Sequence, residues 1–152
     1  MRAALAEAGK AMCSNEVPVG AVVVAPGTGR IVGRGFNHPR SGLDPTAHAE
    51  VAALRDAARN AGNYRLSGAT LYVTVEPCLM CAGALVHARI GTLVYGAPEP
   101  KAGAVRSVCR ALDLEALNHR VAVVAGVLSD ECRALMQAFF SARRHAADGP
   151  AG

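Results

Sequence analysis

A chain of 152 residues, 51% of them hydrophobic, is long enough to bury the core of one domain without covalent staples. Its net charge of +4 has the sign that a phosphate-bearing partner favours, while three Tyr, three Phe and no Trp leave few side chains for stacking on bases. No apolar run approaches the roughly eighteen residues of a membrane span, and Glu7 and Lys10 interrupt what would have to be a signal core, so a cytoplasmic protein with no membrane partner is expected.

Met1 to Met12 reads as an amphipathic helix. Val17 to Ala25 is strand-like, Pro26-Gly27-Thr28-Gly29 is a turn, and Arg30 to Phe36 resumes a β pattern, which predicts an antiparallel hairpin. Asp44-Pro45-Thr46 signals a helix start, and Ala47 to Asn60 continues it until Gly62. Ala69 to Val75 reads as a strand buried on both faces. Pro77 is expected to open the next helix, which ends near His87. A strand from Ile90 to Tyr95, a short helical piece around Val105 to Ala111, a fifth strand from Val121 to Val127 and a closing helix from Asp130 to Arg144 follow. Strands alternating with helices predict a layered α/β domain with helices on both sheet faces. No linker divides the chain, so residues 1–144 are expected to form one domain and 145–152 a disordered tail.

Two short patterns concentrate the chemistry. His48-Ala49-Glu50 lies near the start of one predicted helix, and Pro77-Cys78-Leu79-Met80-Cys81 at the start of another. A shuffled chain of this composition would contain Pro-Cys-x-x-Cys about one time in a hundred. Five cysteines is an odd number, and without a sign of export the Cys78/Cys81 pair points to metal rather than to a disulfide framework. On a helix the two share a face in the first turn, where the partial positive charge favours thiolates, and this suits a soft divalent ion. Zinc takes thiolate and imidazole ligands tetrahedrally, so His48 is the natural third ligand and Zn2+ the expected cofactor, with no organic cofactor.

A fourth protein ligand would make such a site structural. His87 lies six residues after Cys81, roughly 240° round a helix and away from the cysteine face. Cys13, Cys109 and Cys132 lack ligand spacing and are expected as small buried thiols, while His38 and His119 sit in loops where solvated or backbone-bonded imidazoles are usual. A position open to water is therefore expected. Two thiolates and a neutral imidazole cancel the charge of the ion, so its water benefits from a nearby base. Glu50 is placed to be that base; the alternative is a first-turn carboxylate that only complements the helix dipole. Residues i and i+2 of a regular helix point about 200° apart, so His48 and Glu50 must both occupy a distorted first turn.

These residues resemble the zinc deaminase superfamily. Wider segments are similar to the bacterial tRNA adenosine deaminases in particular: Val17-Pro18-Val19-Gly20-Ala21-Val22, Asn37, Asp44 to Glu50, Asn63-Tyr64-Arg65-Leu66, Ala69 to Glu76 and Asn118-His119-Arg120-Val121. The resemblance, from about Met1 to Arg144, implies a three-layer α/β/α fold of the cytidine deaminase type with a central five-stranded mixed sheet. It also implies a homodimer that converts the wobble adenosine of a tRNA anticodon, position 34, to inosine by hydrolysis. By position, His48, Cys78 and Cys81 resemble the zinc ligands and Glu50 the catalytic carboxylate. Asn37 matches an asparagine that contacts the flipped nucleotide; a turn-forming Asn before His38-Pro39 is the alternative. Phe139, Phe140, Arg143 and Arg144 match a helix end that approaches RNA, with a core Phe pair and a solvated basic end as the alternative. Where the family usually reads Gly-Ala-x-Asp-x-Lys-x-Gly, this chain has Gly96-Ala97-Pro98-Glu99-Pro100-Lys101-Ala102-Gly103, which sets a longer carboxylate, Glu99, beside Lys101 on a loop stiffened by prolines at the RNA contact.

Two other functions stay open. A free-base or free-nucleoside deaminase of the same fold, acting on cytosine or guanine, is kept open by the altered loop Pro98 to Lys101. A non-catalytic zinc module that binds RNA or protein is opposed by Glu50 and by the missing fourth ligand. Lys101, Arg106 and Arg110, and Arg143 to His145, form two basic clusters that read either as an RNA surface or as solvated residues. A dimer is expected as well, since Ala82, Leu85 and Val86 place apolar groups on more than one face of the cysteine-bearing helix.

Overall fold

The computed structural model describes residues 1–147. Helix α1 (Arg2–Cys13) precedes strands β1 (Gly20–Val24) and β2 (Ile31–Phe36), and α2 (Ala49–Ala61) is followed by β3 (Thr70–Val75). Then come α3 (Leu79–His87), β4 (Thr92–Ala97), a single 3-10 turn (Ala111–Asp113), β5 (Ala122–Ala125) and α4 (Ser129–Ala147). The strands form one five-stranded mixed sheet in the order β2-β1-β3-β4-β5. β1 runs antiparallel to both neighbours, whereas β3, β4 and β5 are parallel.

Glycine and alanine set the layers. A methyl group added at Gly20 would strike the backbone of Ala4 and Ala8 in α1, and one at Gly33 or Gly35 would strike the backbone of Ala49, Ala53 or Ala57 in α2. These alanines are fully buried, so two helices approach opposite faces of the sheet to backbone contact. Strand register carries the Gly20 face through Thr74 to Gly96, where an added methyl would meet Cys132 of α4. Helices α1 and α4 thus share one face. Ala82 and Leu85 of α3 join Leu71, Val73 and Leu93 in the core on the α2 side.

Several expectations shift. Cys78 rather than Pro77 borders α3, as its extended N-cap, because the carbonyl of Pro77 is held by the N–H of Ala104 at 2.8 Å. Thr70 and Tyr72 leave β3 only half-buried on one face. Val105 to Ser107 are not helical, since their N–H groups turn toward the buried carboxylate of Glu76. Ala82, Leu85 and Val86 are all buried in the chain's own core, so they supply no apolar face for a second copy. Helix α4 continues three residues past Arg144 to Ala147, and the remainder of the expected tail lies outside the described residues. No helix among the described residues is long and apolar enough to cross a membrane.

Candidate active site

His48 lies outside the regular helix. It is the N-cap of α2, extended at φ −76° and ψ 153°, while Glu50 is the second helical residue. This removes the difficulty of the i, i+2 spacing, because the imidazole leaves the chain before helical geometry begins. Asn37 makes the arrangement stable: its Oδ1 accepts the N–H of Ala49 at 2.9 Å, satisfying a helix-end donor that an N-cap side chain would otherwise take. At α3 the pattern repeats, with Cys78 as N-cap and Cys81 as the third helical residue. Two helix N-termini therefore converge on one point.

At that point His48 Nδ1 lies 3.6 Å from Cys78 Sγ and 3.5 Å from Cys81 Sγ. A tetrahedral zinc ion, with bonds of about 2.3 Å to sulfur and about 2.0 Å to nitrogen, sets nitrogen and sulfur ligands about 3.6 Å apart, which both nitrogen–sulfur distances match, and all three donor atoms lie within 4.8 Å of one another. No fourth His, Cys, Asp or Glu joins this cluster among the described residues. His38 Nδ1 is engaged with the carbonyl of Phe36 at 2.9 Å and His119 Nε2 with that of Ile90 at 2.7 Å, while His87 is exposed. Of the remaining cysteines only Cys132 is buried; Cys13 and Cys109 are exposed, contrary to expectation, on a helix end and an open loop.

Hydrogen bonds from Cys81 and His48 hold the Cys78 thiol down to about 4 from 9.0. The hydrogen bond with Cys78, and then burial, pushes the Cys81 thiol up, and His48 is raised by its contact with Cys78. Burial lifts the carboxyl of Glu50 from 4.5 to about 6, against the opposing effects of its own N–H and of His48. A carboxyl in that range can both take up and release a proton near neutrality.

Sequence reasoning missed Glu76. The residue is 3% exposed, and its carboxylate accepts the N–H groups of Glu99 at 3.0 Å, Val105 at 3.1 Å, Arg106 at 2.7 Å and Ser107 at 2.9 Å, together with the Ser107 hydroxyl. It stands one residue before Pro77-Cys78 and so ties the loop of residues 99–107 to a ligand-bearing segment. The available signal was a charge at the end of an apolar strand, which burial permits only with several partners.

Glu99, Lys101, Phe140 and Arg144 line one groove of about 790 Å³ between that loop and α4. Glu99 Oε1 folds back to accept the N–H of Lys101 at 2.9 Å. The Phe pair divides, Phe139 being 4% and Phe140 41% exposed. Arg143 is not brought to this groove; its guanidinium lies 5.0 Å over the ring of Phe139, and it lines a separate cleft with Met12 and Asn15. Arg106 and Arg110 both bind Asp113, at 3.0 and 2.7 Å.

The MafB19-like deaminase family profile matches residues 1–144. The tRNA-specific adenosine deaminase of Haemophilus influenzae is 49% identical over 144 residues, 95% of this chain and 83% of the relative. That of Bacillus subtilis is 44% identical over 140 residues, 92% of this chain and 86% of the relative. A solved structure from studies of A-to-I editing by tRNA:A34 deaminases at the wobble position superimposes with a TM-score of 0.85 at 45% identity, covering 89% of this chain and 96% of that one. A guanine deaminase from Bacillus subtilis gives a TM-score of 0.61 at 29% identity, covering 98% and 94%.

Proposed function

Because the chain belongs to the MafB19-like deaminase family, and within it to the tRNA-specific adenosine deaminases, we propose that it hydrolyses the wobble adenosine of a tRNA anticodon, position 34, to inosine and ammonia. The observation that carries this reading is the convergence of His48, Cys78 and Cys81 at two helix N-termini beside the buried carboxyl of Glu50. His48, Cys78 and Cys81 would hold one zinc ion, which when bound supplies the Lewis acidity that makes water a nucleophile at neutral pH.

The proton movements belong to Glu50. Its carboxylate takes a proton from water as the oxygen adds to C6 of adenine and gives it to N1; a second proton, from the added hydroxyl, passes through it to the exocyclic nitrogen as the C–N bond breaks. Asn37, its oxygen committed to Ala49, has its NH2 group to offer the base. Lys101, Phe140 and Arg144, with Glu99, form the groove wall for the flanking nucleotides, two cations for phosphates and one exposed ring for stacking. Arg143 takes part only if RNA also reaches the neighbouring cleft. The reading includes a homodimer in the cytoplasm. Leu79 and Met80, exposed at the mouth of the site beside Cys78, are the apolar surface a second copy would cover, and light scattering at micromolar concentration is expected to give twice the chain mass.

Purified protein is expected to carry one zinc per chain, and replacing Cys81 by Ser to abolish both the metal and the activity. Incubation with an arginine tRNA transcript is expected to produce inosine, seen by mass spectrometry as a gain of one dalton. An unchanged transcript together with deamination of free guanine or cytosine would replace tRNA editing with free-base chemistry.

A further inference from the structure

Two clefts run along the outer edge of the sheet, beside β2 and α2. The first, about 490 Å³, is lined by Arg30, Arg34 and Arg65, and the second, about 440 Å³, by Lys10, Arg34, Arg55 and Arg59. Arg34 and Asp56 line both, so the clefts are continuous. The second also reaches Phe36, His38 and Ala47, which flank Asn37 and His48, so the path starts at the rim of the active site.

The charge on this path is unlike that elsewhere. Its lining holds six cations and two carboxylates, Glu7 and Asp56, a surplus of four that equals the net charge of +4 of the whole chain. The other ten basic residues are balanced by the other ten acidic ones. Local pairing leaves much of the surplus free. Glu7 serves both Lys10, at 2.9 Å, and Arg34, at 3.2 Å. Arg59 lies 3.8 Å from Asp56 and Arg55 3.4 Å from Asp44, surface pairs of the kind that contribute little. Among the described residues Arg30 and Arg65 make no ion pair.

An edge strand ordinarily invites another protein strand. Here α2 closes it: Asp56 accepts the N–H of Arg34 at 2.9 Å, and the Asn60 amide donates to the carbonyl of Val32 at 2.8 Å. With those backbone groups taken, guanidinium forks are what the edge presents, and their geometry matches phosphate oxygens. The cations extend along α2, 13 residues and so about 20 Å, further than one extruded nucleotide reaches.

We propose that the β2 edge is a docking surface for the phosphate backbone of the substrate tRNA outside its anticodon loop. The proposal rests on the tRNA-editing reading and adds to it a second point of attachment, which steers the RNA toward the site.

The double variant Arg30→Glu/Arg65→Glu tests it, since neither residue touches the site and both side chains are exposed. Binding to full-length tRNA and to an isolated anticodon stem-loop is measured against salt by fluorescence anisotropy. The variant is expected to lose at least about tenfold in affinity for full-length tRNA and to show a log–log salt slope shallower by about 1.8, two contacts on duplex backbone at about 0.9 each. Its affinity and kcat for the stem-loop, and its Tm, are expected to stay at wild-type values. Unchanged affinity for full-length tRNA, or an equal loss for both RNAs, would overturn the docking surface. Wild-type protein that binds tRNA with the described salt behaviour but makes no inosine would overturn the editing reading alone.

Discussion

Replacing Glu50 by Ala is expected to lower tRNA deamination by about 10²–10⁴-fold while the zinc content stays at the wild-type level. The carboxyl is buried, belongs to the first turn of α2, and is not one of the three donors that surround the ion position. Its removal therefore takes away the proton carrier and leaves the imidazole and both sulfurs in place. Since burial disfavours the charged form of Glu50, the metal-free variant is expected to unfold at a temperature no lower than the metal-free wild type. Metal analysis and single-turnover kinetics on the same preparation separate the possibilities. Unchanged turnover would remove Glu50 from the mechanism, and loss of zinc together with activity would make it a ligand instead.

The two motifs were readable because their chemistry is local: the spacing of Cys78 and Cys81 states a metal preference before any fold is known, and Pro26 to Gly29 states a turn. What sequence did not disclose depends on partners distant along the chain. His48 leaves α2 because Asn37, twelve residues earlier, caps the helix in its place. The loop after β4 avoids helix because Glu76, on another strand end, collects its N–H groups. The apolar faces of α3 looked sufficient for two partners, yet the sheet, α2 and the segment around Ala111 and Leu112 cover them within one chain, and periodicity does not say which partner covers a face. Arg143 and Arg144 separate for a reason that was available, since consecutive helical residues diverge by about 100° and only one of them can face the groove. Gly33 and Gly35 fall within the predicted β pattern of Arg30 to Phe36, and only the packing of α2 against their missing side chains explains why glycine stands there.

Glu76 carries the second large effect. Glu76→Ala is expected to destabilise the protein by about 3 kcal/mol, because it orphans the N–H group of Val105 in the interior and those of Glu99, Arg106 and Ser107 at its edge. Glu76→Gln keeps the shape but turns one acceptor into a donor facing donors, and about 2 kcal/mol is expected there. Burial alone would raise this carboxyl, but hydrogen bonds from Ser107, Arg106 and Glu99 outweigh it and bring the folded value to about 2 from 4.5. With the folded value below the unfolded one, the carboxylate contributes stability above about pH 4.5, and the contribution fades as pH falls toward 2. A protonated Glu76 offers the loop no more acceptors than Gln does. Urea unfolding of the metal-free proteins is therefore expected to show a gap between wild type and Glu76→Gln that stays level from pH 7 to about pH 5 and narrows below it toward pH 3. A gap independent of pH would mean that Glu76 acts through packing, and no gap at all would mean that the loop carrying Glu99 and Lys101 is held by something other than this buried charge.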